Sequence, residues 1–489
     1  MSNRRLFAKR LLVGSGLTAL AALLVPAPAA AQNALDMGLG PAKIGDSYYL
    51  RLNLGGAVAT PALPLPLPAS WFDAEPSAPL KVGFYVPLSF CVSDCKGETF
   101  RADEWDEPGE ILRTVRWAEI GQRYGAVRLR VGELVDWSVG HATIMSGYNN
   151  SLDLDHFSWG VGGEINTKMG GVELMVGDVV DPSVMGGRVY VRPLFFTGGP
   201  SFFDRLAVGA SVITDTHAPK ELKLEPKLNS DDTVAVDGNG EPLSTGRYVQ
   251  DKNGDLIVET ESAATVIGFD AELPLLPPGD FVLTPYTDLN KISGAGTGLH
   301  TGVFLSWQAP ANISIGGRAE YRVLGKDYLP SYIGPVYGVE RASYLPVTNL
   351  DGSKTAQKFP KREWLAKSDV KASDGYLTEV NADVMGIVRV QAQYATSADD
   401  QATGEFVSRA TINAGDAAQI GVYYARSGLS ELSEIGDLKD ALVVAEAKVP
   451  LNSFLYLTAQ GNRRWQLDDK GEYQPNDEYS FSVGASLGF

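Results

Sequence analysis

The chain ends on Tyr479-Ser-Phe-Ser-Val-Gly-Ala-Ser-Leu-Gly-Phe489. Tyr479, Phe481, Val483, Ala485, Leu487 and Phe489 fall on one face of this stretch, and Ser480, Ser482, Gly484, Ser486 and Gly488 fall on the other. That is the period of a β-strand, whose successive side chains point to opposite faces. An apolar strand of this kind with a free edge would invite pairing with other chains, and proteins blunt or close such edges. The segment therefore predicts a strand paired on both sides, inside a sheet that closes on itself.

Working back from it, the same alternation recurs from about Ser47. In residues 312–322, Ile313, Ile315, Gly317, Ala319 and Tyr321 oppose Ser314, Gly316, Arg318, Glu320 and Arg322; in residues 126–134, Val127, Leu129 and Val131 oppose Arg128, Arg130 and Gly132. Residues 188–194, 205–212, 299–307 and 388–394 repeat the split. A soluble sandwich would also alternate, but its apolar face must be bulky enough to fill a shared core. Here that face is light, rich in Val, Ala, Leu and Gly, with aromatics near strand ends (Trp307, Tyr321, Tyr394) that match the girdles of membrane barrels. Beyond the N-terminus no uninterrupted apolar run reaches the ~20 residues that a spanning helix needs. In lipid only a closed barrel then satisfies the backbone.

The expected fold is all-β: a single closed antiparallel transmembrane β-barrel over residues 32–489, of about 16 strands (14–18, since even numbers are the norm) with long external loops. Helical periodicity is faint and confined to residues 429–444. Residues 59–78 read as a Pro-rich loop or linker, because alternate prolines remove ladder donors. Residues 215–262 and 325–371 read as long polar loops. Within the first, Asp237-Gly-Asn-Gly-Glu241 and Asp251-Lys-Asn-Gly-Asp255 resemble calcium loops only superficially, and Asn-Gly between short apolar runs is a hairpin signature.

Residues 1–31 carry Arg4, Arg5, Lys9 and Arg10, an apolar stretch broken by Gly14, Ser15 and Gly16, and then Ala29-Ala30-Ala31 before Gln32. This is the pattern of a cleaved secretory signal peptide. Its removal takes the formal charge from −17 to −21 (38 Lys+Arg against 59 Asp+Glu). No basic patch suits nucleic acid. Cys91 and Cys95, four apart in a turn-like context and bound for an oxidising compartment, predict a small disulfide-pinned loop over a metal pair, for which no third ligand lies near.

The C-terminal segment resembles the assembly signal of bacterial outer-membrane β-barrel proteins, carried by Tyr479, Phe481, Val483, Leu487 and Phe489. The resemblance covers about a dozen residues and implies an outer-membrane location, lipid as partner, and handling by the barrel-assembly machinery; it leaves the subfamily and oligomeric state open. Residues 130–150 also look family-like, without an activity attached.

No enzyme, cofactor or metal is expected. His141 with Ser146 and Asn149 has neither the order nor the spacing of an outer-membrane phospholipase, and Asp153, Asp155 and His156 match a barrel protease only in residue type. His141 reads as a polar strand-end residue. The arginines of the polar faces, Arg128, Arg130, Arg188, Arg192, Arg205, Arg318, Arg322 and Arg389, should point into the lumen, because an Arg facing mid-membrane lipid costs about 2–4 kcal/mol. With Glu133, Glu173 and Glu320 they are the candidate pore-lining residues. Two functions follow from the resemblance: a porin-like channel for small solutes, anions among them, through an Arg-lined lumen, or a non-conducting structural or surface-attachment barrel with acidic external loops. Pairing of the arginines with Glu119, Glu133, Glu173 and Glu320 across strands would make them braces of the wall instead.

Overall fold

A computed structural model describes residues 34–488 apart from 45–46, 73–75, 96–98, 106–110, 113, 124, 152–157, 197–202, 232, 250–255, 277–278, 336, 344–359, 368, 398–403, 416, 430–431, 437, 439–440 and 468–472. The signal segment 1–31, Phe489, the Asp153/Asp155/His156 group and the second Asn-Gly turn lie outside the described residues.

Among the described residues the strands are β1 (Ala34–Ile44), β2 (Ser47–Pro64), β3 (Ser77–Ser93), β4 (Val115–Gly121), β5 (Val127–Gly132), β6 (Gly160–Thr167), β7 (Gly170–Val176), β8 (Val184–Val191), β9 (Ala207–Leu222), β10 (Leu224–Pro226) and β11 (Ser244–Tyr248). They continue with β12 (Val258–Glu272), β13 (Phe281–Ile292), β14 (Thr297–Ala309), β15 (Ile313–Leu324), β16 (Ser373–Val384), β17 (Val388–Ser397), β18 (Gly404–Asn413), β19 (Gln419–Leu429), β20 (Ala441–Pro450), β21 (Leu455–Leu467) and β22 (Tyr473–Gly488). β10 and β11 pair only with each other, as a hairpin arm. The remaining 20 form one sheet of antiparallel neighbours, with β9 joined to β12 and β22 to β1. The C-terminal strand closes the barrel by pairing Val483 with Leu39 and Leu487 with Leu35.

The pleat sorts the side chains as the alternation predicts. Along β15, Arg318, Glu320 and Arg322 are buried inside, while Ala319, Tyr321 and Val323 are exposed outside. Leu39, Leu129, Leu174, Phe269, Leu305, Trp307, Tyr376, Phe481 and Val483 are likewise exposed. Water would not tolerate so continuous an apolar exterior, but a bilayer covers it. No helix among the described residues is long and apolar enough to cross a membrane; the two seven-residue helices, α1 (Tyr337–Ser343) and α2 (Lys361–Lys367), both belong to the connection after β15.

The strand count, expected near 16, is 20. Short strands with glycine-rich faces, such as β6 with Gly160, Gly162 and Gly163, give too little apolar contrast to be counted from the sequence. β2 also runs into the Pro-rich stretch as far as Pro64, leaving residues 65–76 as its connection to β3. Among the described residues β1 pairs no further along β2 than Ala57, so Pro61 and Pro64 lie where β3 is the one described neighbour of β2, and a missing N–H on the other side breaks no described pairing. β9 reaches Leu222 and β12 resumes at Val258, so both strands extend into the segment read as loop 215–262. The described residues of 429–444 form β-structure around one short 3-10 turn, Leu432–Gly436, with no α-helix among them.

At the barrel end that holds Ala34 and Gly488, most connections are tight: 122–126, 168–169, 310–312, 385–387 and 451–454. The opposite end carries 94–114, 133–159, 223–257 and 325–372. Two of these long connections turn inward. Leu134, Trp137, Ile144 and Met145 from the first and Tyr328, Tyr332, Ile333, Tyr337, Trp364 and Leu365 from the second build an apolar cluster inside the barrel, against Met175, Val184, Ile213, Val266, Ile292 and Leu324 of the wall.

Candidate functional site: an inward-folded loop and its charge belt

Residues 133–151 follow β5 and cannot continue a strand. Gly140 and Gly147 adopt positive φ (56° and 63°), so the chain doubles back, and Trp137 and Tyr148 exchange backbone hydrogen bonds of 2.9 and 2.8 Å across the fold. Asn150 replaces the lost ladder: its Oδ1 accepts from the Leu134 N–H (2.8 Å), and its Nδ2 donates to the carbonyl of Gly177 (2.8 Å). The loop is then zipped to the second inward segment, with the Ser146 N–H donating to the Ile333 carbonyl (3.0 Å) and the Ser331 N–H to the Thr143 carbonyl (2.9 Å). Glycines on the wall make room for this packing. A Cβ on Gly162 would lie 2.4 Å from the Trp137 ring, and one on Gly298 would lie 2.2 Å from Tyr328.

His141 sits at the inward end of the loop, buried, which corrects its expected place at a strand end. Its Nδ1 meets Asp288 at 2.6 Å and its Nε2 meets Glu272 at 2.9 Å, while its ring stacks on Tyr286 at 4.3 Å between centroids. Burial alone would lower its pKa, but the hydrogen bonds from Asp288 and Glu272 and their charges win and raise it from 6.5 to about 9, so the ring is an imidazolium at neutral pH. Arg318 donates to the His141 carbonyl (2.5 Å), and Thr143 donates to the other oxygen of Asp288 (2.6 Å). Both ring nitrogens go to carboxylates, and the Asn149 amide is spent on the Gly147 and Pro335 carbonyls, so no Ser146-His141-Asn149 relay is assembled. His141, Asp270 and Asp288 bring donor atoms within 4.8 Å of one another. A cation there would meet Arg188, which already binds both Asp270 oxygens (2.5 and 3.0 Å).

The arginines named from the sequence join the same belt. Arg128 bridges Glu119 (2.7 Å) and Glu164 (3.2 Å), and Arg130 reaches Glu119 (3.0 Å). Arg188 adds Glu173 (3.0 Å) to Asp270. Arg318 reaches Glu379 (3.2 Å), Arg322 pairs with Glu320, and Arg389 binds Asp383 (2.5 Å). Glu133 is held by Arg116, at 2.7 and 2.8 Å. Arg192 and Arg205 lie in the connection 192–206, not on strands, and donate to the carbonyls of Thr167 and Pro274. The strand arginines thus reach carboxylates across or along the wall. Asp270, Glu272 and Asp288 gave no signal beforehand, because their strands carry acids that only closure of the barrel brings to His141. Trp137 and Asp136 lay within the family-like segment 130–150.

Asp136 differs from its neighbours. Leu134, Trp137, Ser138 and Val139 are buried, but Asp136 is exposed, at a position inside the barrel wall. Although its side chain is exposed, the protein packed around it desolvates the carboxyl and raises it above the ordinary value, against the pull of Arg123 and Arg409. Nearer the rim, the connection 94–114 is anchored by the buried Glu104, which accepts from Arg51 (2.9 Å), Arg101 (3.0 Å) and Ser89 (3.0 Å), and Cys91 and Cys95 are joined as a disulfide. Phe481 and Val483 of the C-terminal strand point outward. In the hairpin arm, the Asp237 carboxylate accepts from the Asn239 (2.8 Å) and Glu241 (3.0 Å) N–H groups and closes a tight turn.

No protein-family model matches the chain, and no curated protein does. Solved structures similar to it include Wzi, an outer-membrane protein of Escherichia coli involved in group 1 capsule assembly and described as a carbohydrate-binding β-barrel, at 10% identity over 93% of this chain and 84% of Wzi, with a TM-score of 0.31. OccK11 (OpdR) of Pseudomonas aeruginosa is similar at 10% identity over 94% of this chain and 96% of OccK11, with a TM-score of 0.33. OccAB1 of Acinetobacter baumannii is similar at 8% identity over 94% and 95% of the two chains, with a TM-score of 0.30.

Proposed function

We propose that the protein resides in the outer membrane of a two-membrane bacterium and works there as a porin-like channel for small solutes. The observation that carries this reading is the uneven filling of the barrel. The inward loops pack on β7–β9, β12, β13 and β15. On the far side, the inner-face residues Gln391, Gln393, Arg409, Thr411, Glu446 and Lys448 of β17–β20 are half-buried or exposed. Polar side chains that meet solvent within a closed apolar shell suit a water-filled path. The exposed apolar exterior supports the membrane location.

The arginines of the belt brace the wall in this reading, and any anion preference of the channel rests on charges not committed to pairs. Purified protein in a planar lipid bilayer should show stepwise conductance. A sealed bilayer would sink the channel and leave the non-conducting surface barrel.

A further inference from the structure

The strand arginines named from the sequence are held by wall carboxylates, so a passing solute that bound one of them would first have to displace its partner. Among the described residues one lumenal strand arginine forms neither a hydrogen bond nor an ion pair: Arg409 of β18. Ile412, three residues on, is 44% exposed on the outer surface, which puts Arg409 on the inner face. Its register partners are Gln391 of β17 and Tyr423 of β19, both inner-face residues. Arg389, on the same strand as Gln391, is already bound to Asp383 at 2.5 Å.

Asp136 of the inward loop lies within reach of the charge of Arg409. Its φ of 54° and the hydrogen bond from its N–H to Asn149 Oδ1 (3.0 Å) fix the backbone at this turn, and its carboxylate accepts no hydrogen bond among the described residues. The charges that act on it are Arg123, Arg409 and Arg128, with Glu379 opposing. Loop and far wall therefore present one exposed carboxylate and one half-buried guanidinium without an ion-pair partner to the same part of the lumen.

We infer that Arg409, with Asp136 within reach of its charge, is the specificity-determining residue of the channel and takes the carboxylate group of a small organic solute. The inference rests on the channel reading. A guanidinium inside a narrow lumen binds carboxylate through two parallel hydrogen bonds, and here no resident partner has to leave. The Gln391 amide, whose bond to Glu379 is long (3.4 Å), and the Tyr423 ring flank the position and suit the polar remainder of such a solute.

The test is single-channel recording of the full mature barrel in a potassium chloride gradient, with potassium gluconate as the carboxylate probe. Relative to the unaltered protein, Arg409→Gln should lower the chloride-to-potassium permeability ratio several-fold and abolish block by gluconate, while Asp136→Asn should shift the ratio the opposite way. Arg409→Cys gives a second readout. Cys91 and Cys95 are bonded to each other and no free thiol competes, so a negatively charged methanethiosulfonate should label the introduced thiol and alter the current. Conductance with an unchanged ratio in Arg409→Gln, or an introduced thiol that does not react in the assembled barrel, overturns the inference and leaves the channel standing. A sealed bilayer overturns both.

Discussion

His141 holds two carboxylates with one ring, and its charge is what lets the inward loop dock on an acidic stretch of wall. Around it stand Asp288 and Glu272, the rings of Tyr286 and Phe304, Arg318 on its carbonyl, and Arg188 at 3.9 Å from Glu272. Its folded pKa, raised from 6.5 to about 9, fixes the sign of the pH dependence. A group whose pKa rises on folding contributes its full stabilisation below the unfolded value and loses it as pH rises through the folded one. The thermal unfolding midpoint should hold up to about pH 6.5 and fall progressively toward about pH 9, and His141→Gln should flatten that fall while lowering the midpoint at neutral pH. An unaltered slope in the variant would show that another group titrates. At this scale the sequence was half legible. That Arg128, Arg188 and Arg318 face inward follows from the lipid cost of the other face, but their partners do not, since Asp270 lies 82 residues from Arg188 and Glu379 belongs to a different hairpin.

The loop 133–151 behaves as an element of its own, although no helix or strand names it. Its largest side chain, Trp137, is 1% exposed, packed in the seat left by Gly162, with the Arg128 guanidinium 4.4 Å from the ring centroid. Gly162→Ala forces the ring or the strand to move and should cost about 1–3 kcal/mol. Trp137→Ala empties the seat and should cost about 3–5 kcal/mol. The double variant should be less destabilised than the sum of the two, because the clash needs both partners. Strict additivity in denaturant or thermal unfolding would mean that the two residues are not in contact. The glycines and asparagines of segment 130–150 break the alternation on either side. Nothing in its spacing said that it turns inward. Alternation reports the two faces of a strand, whereas a loop that enters a lumen is specified by the cavity it fills.

For the molecule as a whole, one apolar face decides both closure and solvent. Phe481 and Val483 lie on the same outer surface as Leu39 of β1, Leu129 of β5 and Leu305 of β14, so the strand that closes the ring also continues the apolar exterior around it. That surface was readable from the period alone. The number of strands was not, because glycine-rich stretches such as β6 and the proline-bearing end of β2 hide the period where the neighbouring strand supplies what the side chains do not. If lipid is the outer solvent, charge should be penalised by face and not by strand. Leu305, 40% exposed on β14 and opposite Gly317 and Leu283 in register, should as Leu305→Arg lose about 2–4 kcal/mol if it lies near the bilayer midplane. Thr411, on the inner face of β18 toward the open side of the lumen, should accept Thr411→Arg with little loss. The measurement is the temperature at which the folded barrel, in lipid vesicles, converts to the unfolded form. Equal losses for the two variants would mean that the exterior does not face lipid, and the membrane placement would fall with it.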